Sequence, residues 1–200
     1  MGTIINNFGE INSNQTPDKE KEYLAYISQH RNYVIEAAYE LFFNNTTDPD
    51  TDLFTMQEYA DAKFKLKDRV PVHDNSKYDN EEFPYYRAKW YPTEEEIANP
   101  NPDILENYQE AWKHHYLNND HHVEYWFYKN NAPQDMSLDA IMEMICDWEA
   151  VSRYNGGSIR EWYQNSAVRE KKCMTDNTKK IVEFFLDFLF PIDYDDKKHY

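Results

Sequence analysis

The sequence predicts an all-α, single-domain protein, and three observations carry that expectation. Apolar residues recur at spacings near 3.6 along most of the chain, the pattern of helices with one buried face. Glycine is scarce, 4 of 200 residues, which disfavours glycine-rich phosphate loops and turn-dense β-sandwiches. A chain of 200 residues is long enough for one ordinary hydrophobic core and too short for two comfortable ones.

Taken in order, residues 1–17 are polar and rich in Asn, and are expected to form a flexible N-terminal arm. Residues 18–192 make the helical domain and residues 193–200 a polar C-terminal tail. The first helix runs from about Pro17-Asp18 to Phe43, with Tyr23, Ile27, Val34, Ala38 and Leu41 on one stripe; His30 lies between Ile27 and Val34 and so points inward. NNTTDPDTD is a loop. A second helix, about Thr55 to Val70, is stopped by Pro71, which leaves His73-Asp74 just past its end or at the start of the next turn. A short helix is expected within Asp79–Trp90, and Tyr91-Pro92-Thr93-Glu94-Glu95-Glu96 reads as another helix start, with acids in its first turn.

NPNPD breaks the chain before a helix from about Ile104 to Leu117. Its stripe is Tyr108, Ala111, Trp112 and His115, so His115 faces in, while His114, about 100° away, falls with Glu110 on the wet side. His121-His122 opens a short segment ending in EYWFY. The helix from about Ser137 to Tyr154 carries Ala140, Met144, Asp147 and Val151 on one stripe, which puts a carboxylate on an apolar face, where it needs a cation or hydrogen bonds. Asn155-Gly156-Gly157 ends that helix, and IREWYQ and NTKKIVEFFLDFLF supply two closing helices.

Composition excludes several functions. Lys plus Arg number 21 against 37 Asp plus Glu, a net charge of −16 that repels nucleic-acid polymers. There is no GxxxxGK[ST] and no GxGxxG run. No window approaches the roughly 18 apolar residues of a membrane span, and Cys146 and Cys173 do not make a disulfide framework, so a reduced, cytoplasmic protein without membrane contact is expected. The oligomeric state is not encoded in any of these features.

The chemistry lies in the histidines. His73-Asp74 offers a neutral nitrogen and an anionic oxygen to one point, a mixture that suits Mn, Fe, Co, Ni or Zn better than Ca or Mg. Taken singly, a histidine on an apolar helix face is most often a hydrogen-bonded core residue. His30, His73, Asp74, His115, His121, His122 and Asp147 together point to a site for one or two divalent transition-metal ions.

The order H…HD…H…HH…D resembles the HD-domain superfamily of metal-dependent phosphohydrolases, all-helical proteins named for the His-Asp pair. The runs HDNSKY, AWKHHYLNNDHHVEYW and MEMICDWEAVS are similar to a small uncharacterised family of bacterial and phage proteins, over about residues 23 to 190. The superfamily resemblance implies an HD-like helical bundle in which His30, His73, Asp74 and Asp147 bind a first metal and Asp74 bridges to a second. His115 with His121 or His122 would hold the second ion, although these lie only six or seven residues apart rather than on well-separated helices.

Lys77 matches the lysine of the superfamily's HDxxK run and is placed to contact phosphate. Whichever of His121 and His122 is not a ligand is a candidate proton donor to the leaving group, oriented by Glu124 or Asp120. The implied reaction is hydrolysis of a small phosphorylated metabolite or nucleotide by metal-activated water, in a bacterial cell or a phage-infected host. FPYYRAKWYP and EYWFY are candidate walls of a base-stacking pocket, with Arg87, Lys89, Lys113 or Arg153 meeting phosphate. Three other readings use the same residues: an HD-fold di-iron oxygenase, a non-catalytic acidic interaction protein that keeps a structural metal, and a metal-free histidine cluster.

Overall fold

A computed structural model describes residues 18–191, so the N-terminal arm expected at 1–17 and the tail at 193–200 lie outside the described residues. Ten α-helices follow one another, with no strand among the described residues. α1 (Lys19–Ala38) starts at Asp18, whose carboxylate accepts from the Lys21 amide at 3.3 Å, and continues as a π-turn, Tyr39–Phe43, so the helical path reaches the expected end. α2 (Met56–Arg69) is set by a reciprocal capping box between Thr55 and Glu58. Pro71 has no amide hydrogen to continue the ladder, and the chain tightens into 3-10 turns at Val70–Val72 and Asn75–Tyr78. His73 and Asp74 occupy the joint between those turns.

α3 (Phe83–Trp90), α4 (Glu94–Ala98), α5 (Ile104–Asn118) and α6 (Val123–Tyr128) form the next layer. α7 (Leu138–Asn155) is capped by Ser137 and closed by Gly156 at φ +69°, where the Gly157 amide donates to the Ser152 carbonyl. Only glycine takes that conformation freely. α8 (Ile159–Asn165), α9 (Val168–Cys173) and α10 (Asp176–Leu189) complete the chain. α9 was not expected, and Cys173 is its last residue.

α7 is the central element and packs chiefly on α1 and α2. The main core joins Val34 and Phe42, Leu66 of α2, Ile141 and Ile145 of α7, and Phe185 of α10. A second, smaller apolar cluster comprises Tyr23, Ile27, Tyr86 and Ala111. α1 runs through both, with Ile27 in the small cluster and Val34 in the large one, so His30 stands at the seam between them. The α7 stripe departs from expectation at Val151, which is 41 % exposed, while Asp139 and Glu143 are buried. No helix among the described residues is long and apolar enough to cross a membrane.

Phe185 is fully buried, with ring centroids 5.6 Å from Phe42 and 5.5 Å from Phe54. Phe185→Ala is expected to cost about 3–5 kcal/mol of stability, read as a lower urea midpoint at unchanged m-value.

Candidate metal centre

Five segments deliver the centre. α1 brings His30, the two 3-10 turns bring His73, Asp74 and Lys77, α5 brings His115, the turn before α6 brings His121 and His122, and α7 brings Asp147. Asp74 sits in the left-handed region at φ +56°, ψ +30°, a conformation that aspartate accepts more readily than most residues with a side chain. This local reversal lets consecutive residues send both side chains to the same cluster.

The two oxygens of Asp74 divide the donors into two groups. Oδ2 lies 3.4 Å from His73 Nε2 and 3.7 Å from His30 Nε2, and Asp147 Oδ1 closes that side at 3.0 Å from His30 Nε2 and 3.7 Å from His73 Nε2. Oδ1 lies 3.3 Å from His115 Nε2 and 3.4 Å from His121 Nε2, with His122 Nε2 3.0 Å from His115 Nε2. Two ligands each about 2.1 Å from one ion stand roughly 3.0 to 3.4 Å apart in octahedral or tetrahedral geometry. Five of the seven donor separations fall in that range, and the two at 3.7 Å are wider.

The outer nitrogens are held from behind. His73 Nδ1 lies 2.9 Å from Glu143 Oε1, and His115 Nδ1 lies 2.9 Å from Glu82 Oε2. A proton kept on Nδ1 by a carboxylate leaves the Nε2 lone pair free to face the centre, the usual arrangement behind a metal-bound imidazole. His73 Nε2, His121 Nε2 and Asp74 Oδ1 are all buried with no hydrogen-bond partner. Buried polar atoms are seldom left unpaired, and three orphans in one cluster are what a bound cation would satisfy. Buried His and Asp groups here can hold a metal ion.

Charge shows the same need for a further cation. Asp74, Glu82, Glu143 and Asp147 are four carboxylates, and the fixed cations that touch them are Lys77, 2.6 Å from Asp74 Oδ2, and Arg69, 2.6 Å from Glu143 Oε2. Four against two leaves a deficit of two, and Arg69 also serves Asp139 at 3.1 Å and Asp120. Either imidazolium or metal must supply the rest. Burial lowers the His121 pKa, but the Asp74 and Glu143 carboxylates, each 3.4 Å from one of its ring nitrogens, more than offset this and push it up to about 10. His73 is likewise raised, burial being outweighed by the Asp74 carboxylate. Burial holds His115 below its ordinary value and His122 well below.

Two cavities flank the cluster. One, about 370 Å³, is polar and lined by His73 and His121, with Arg69 against the acids Asp79, Asp120 and Glu143. The other, about 390 Å³, has Lys77 as its one charged lining residue among aromatic side chains. FPYYRAKWYP contributes Tyr86, Trp90 and Tyr91 to it; EYWFY forms α6 and lines neither cavity.

The family model of DUF5662, described as a family of unknown function, matches residues 19–188. The chain belongs to this family. Its matched span takes in all the clustered donors, and membership agrees with the uncharacterised family to which HDNSKY and its companion runs are similar. Comparison with curated proteins and with solved structures returns no match.

All seven proposed ligands converge, and both His121 and His122 lie on the centre, although His115 is only six and seven residues from them. Neither has the orienting partner expected: Asp120 is paired with Arg69 and Glu124 with Arg169. Of the proposed phosphate contacts, Lys89 lines neither cavity, its Nζ lying 5.8 Å from the Trp90 ring centroid, and three others also stand apart from both. Arg87 is held by both oxygens of Glu96 at 2.5 and 2.6 Å, Arg153 by Glu40 and Glu149, and Lys113 is exposed on α5, 3.8 Å from Glu110. Each was selected by charge sign, and each has a local carboxylate to answer it. His114 keeps a partly exposed side chain, 30 % against 1 % for His115, but its Nδ1 lies 2.8 Å from Glu82 Oε1, so one buried glutamate holds both neighbouring histidines. Glu82, Glu143 and Arg69 were missed. The acids at 139, 143 and 147 of α7, spaced by four, were the available signal.

Because the folded pKa of His121 is raised, its proton stabilises the metal-free fold below about pH 6.5 and that contribution is lost as pH rises toward about 10. Chelator-treated protein should therefore lose stability over that window, by at most about 1.4 kcal/mol per pH unit for one such group. Metal-loaded protein, with no proton to lose there, should show a flat profile. Thermal melts at matched pH values check both.

Proposed function

We propose that this protein is a metal-dependent phosphohydrolase acting on a small phosphoester. The observation that carries the reading is the division of donors by Asp74, three partners and an unpaired oxygen on one side, and a second carboxylate on the other, with Lys77 beside it. In this reading His30, His73, Asp74 and Asp147 would hold one divalent ion, and Asp74, His115, His121 and His122 would hold a second. Such ions supply Lewis acidity toward a phosphoryl oxygen and make water acidic enough to react at neutral pH.

The chain's own groups do the rest. Glu143 and Glu82 keep the protons of His73 and His115 on the outer nitrogens, so that the ligands face inward without reorganisation. Burial lowers the Lys77 pKa, yet the Asp74 carboxylate more than offsets this and holds it above the ordinary lysine value. Held against Asp74 in this way, Lys77 brings a positive charge to the edge of the aromatic cavity. Placed between Asp74 and the aromatic cavity, it favours an anionic substrate arriving from that side. The polar cavity, with three acids against one arginine, does not suit a phosphate.

Two replacements separate the roles. Asp74→Asn keeps a residue that tolerates the left-handed backbone and removes the bridging charge, so purified protein should lose its transition metal, measured by plasma mass spectrometry, together with release of phosphate from 4-nitrophenyl phosphate. Lys77→Met removes the cation competing for Asp74 and should keep or tighten metal binding while lowering kcat/KM at least tenfold. Failure of the reconstituted wild type to bind metal, or full activity in Lys77→Met, would sink this reading. Iron with a visible absorption band and no phosphate release would instead mark the donor set as an oxygen-activating one.

A further inference from the structure

We propose that the substrate is a phosphomonoester of a compound bearing a planar aromatic ring, with the ring in the aromatic cavity and the phosphate toward Lys77. The phosphate end rests on the phosphohydrolase reading; the ring end stands on the cavity, whose volume of about 390 Å³ suits a small organic ligand.

Two sets of rings border this space. Tyr26, Tyr91 and Tyr154 form one set, the Tyr26 centroid lying 6.0 Å from Tyr91 and 5.6 Å from Tyr154. Trp90 is the other. Its ring partner is Tyr108, 6.0 Å away at 79°, which does not line the cavity, and no other lining ring pairs with Trp90 among the described residues. Trp90 and Tyr154 are 58 % and 53 % exposed, so neither is held in the core. Large aromatic side chains left in water beside a cavity have apolar faces to cover. A planar ring covers them by stacking, and each such pair contributes beyond the area it buries.

The cavity is joined to the donor centre at two points. Lys77, its one charged lining residue, lies 2.6 Å from Asp74 Oδ2. Tyr26 lies alongside His30, with ring centroids 6.1 Å apart and an interplanar angle of 15°. A ligand ring among the aromatic walls therefore has one cation at the cavity's edge, and the Asp74 carboxylate directly beyond it. The polar cavity offers neither feature: no Phe, Tyr or Trp lines it, and its Arg69 is answered by Asp120 and Glu143.

These features narrow the ligand. A sugar phosphate leaves the rings in water. An alkyl phosphate covers them without a π face to stack. An aromatic cation would stack, and ring faces attract cations, but the charge of Lys77 opposes it.

Isothermal titration calorimetry on the full chain as purified measures the binding of 1-naphthylphosphonate, hexylphosphonate and 1-naphthylmethylammonium. The P–C bond of a phosphonate is not hydrolysed, so affinity is read without turnover. The naphthyl phosphonate should bind about tenfold or more tightly than either of the other two. Trp90→Leu and Tyr154→Leu, each keeping an apolar side chain at an exposed position, should each cut the naphthyl-to-hexyl preference about threefold or more. Equal affinity for the two phosphonates, equal affinity for the naphthyl anion and cation, or a preference unchanged in both variants overturns the proposal even if phosphate is released from 4-nitrophenyl phosphate. Ring preference without phosphate release keeps the ring assignment and removes the phosphohydrolase reading.

Discussion

Buried negative charge is the constraint around which this protein is organised. Asp74, Glu82, Glu143 and Asp147 are taken out of water inside a helical domain, and an unpaired carboxylate in such a place would cost several kcal/mol. Imidazoles, one lysine and one arginine are gathered around them from five segments of chain. The domain thus encloses a polar knot between two apolar clusters, with α1 passing through both. Helix α7 sets its scale. Asp139, Glu143 and Asp147 follow one another every four residues, about 6 Å per step, and meet in turn Arg69, then His73 with His121, then His30.

That row explains why α7 is buried along so much of its length despite carrying charge. Its apolar residues Ile141, Met144 and Ile145 pack in the main core, while its acids face the neighbouring basic groups. Arg69, at the end of α2, is the counterpart that fixes where the following turns begin, since it binds Glu143 behind His73. The Pro71 turn and the left-handed Asp74 then place His73 and Asp74 together. Local backbone chemistry and distant charge pairing agree on the same geometry.

Much of this was legible in the sequence where the information is periodic. The 3.6-residue spacing put His30 and His115 inside, and an acid on an apolar stripe singled out Asp147. The same reasoning failed where a second element decides the outcome. His114 turns about 100° from His115, yet Glu82 has two oxygens and reaches both. Arg87, Arg153 and Lys113 carry the right charge for phosphate and are answered by carboxylates that only the tertiary fold brings near, or that lie one helical turn away. Glu143 was hidden because a glutamate on a helix usually faces water. The short α9 was hidden because six residues give a weak periodic signal.

The centre also bears on the order in which the chain folds. His30 Nε2 and Asp147 Oδ1 lie 3.0 Å apart, on residues separated by 117 positions in the sequence (147 − 30). Such a contact closes a very long loop, and no local hairpin or helix pair can form it early. The donors therefore come into register only where α1, α2 and α7 are packed together, and the centre ties its chemistry to the finished topology. A chain that misplaces any one of five segments still has helices, but it has nowhere to put its buried charge.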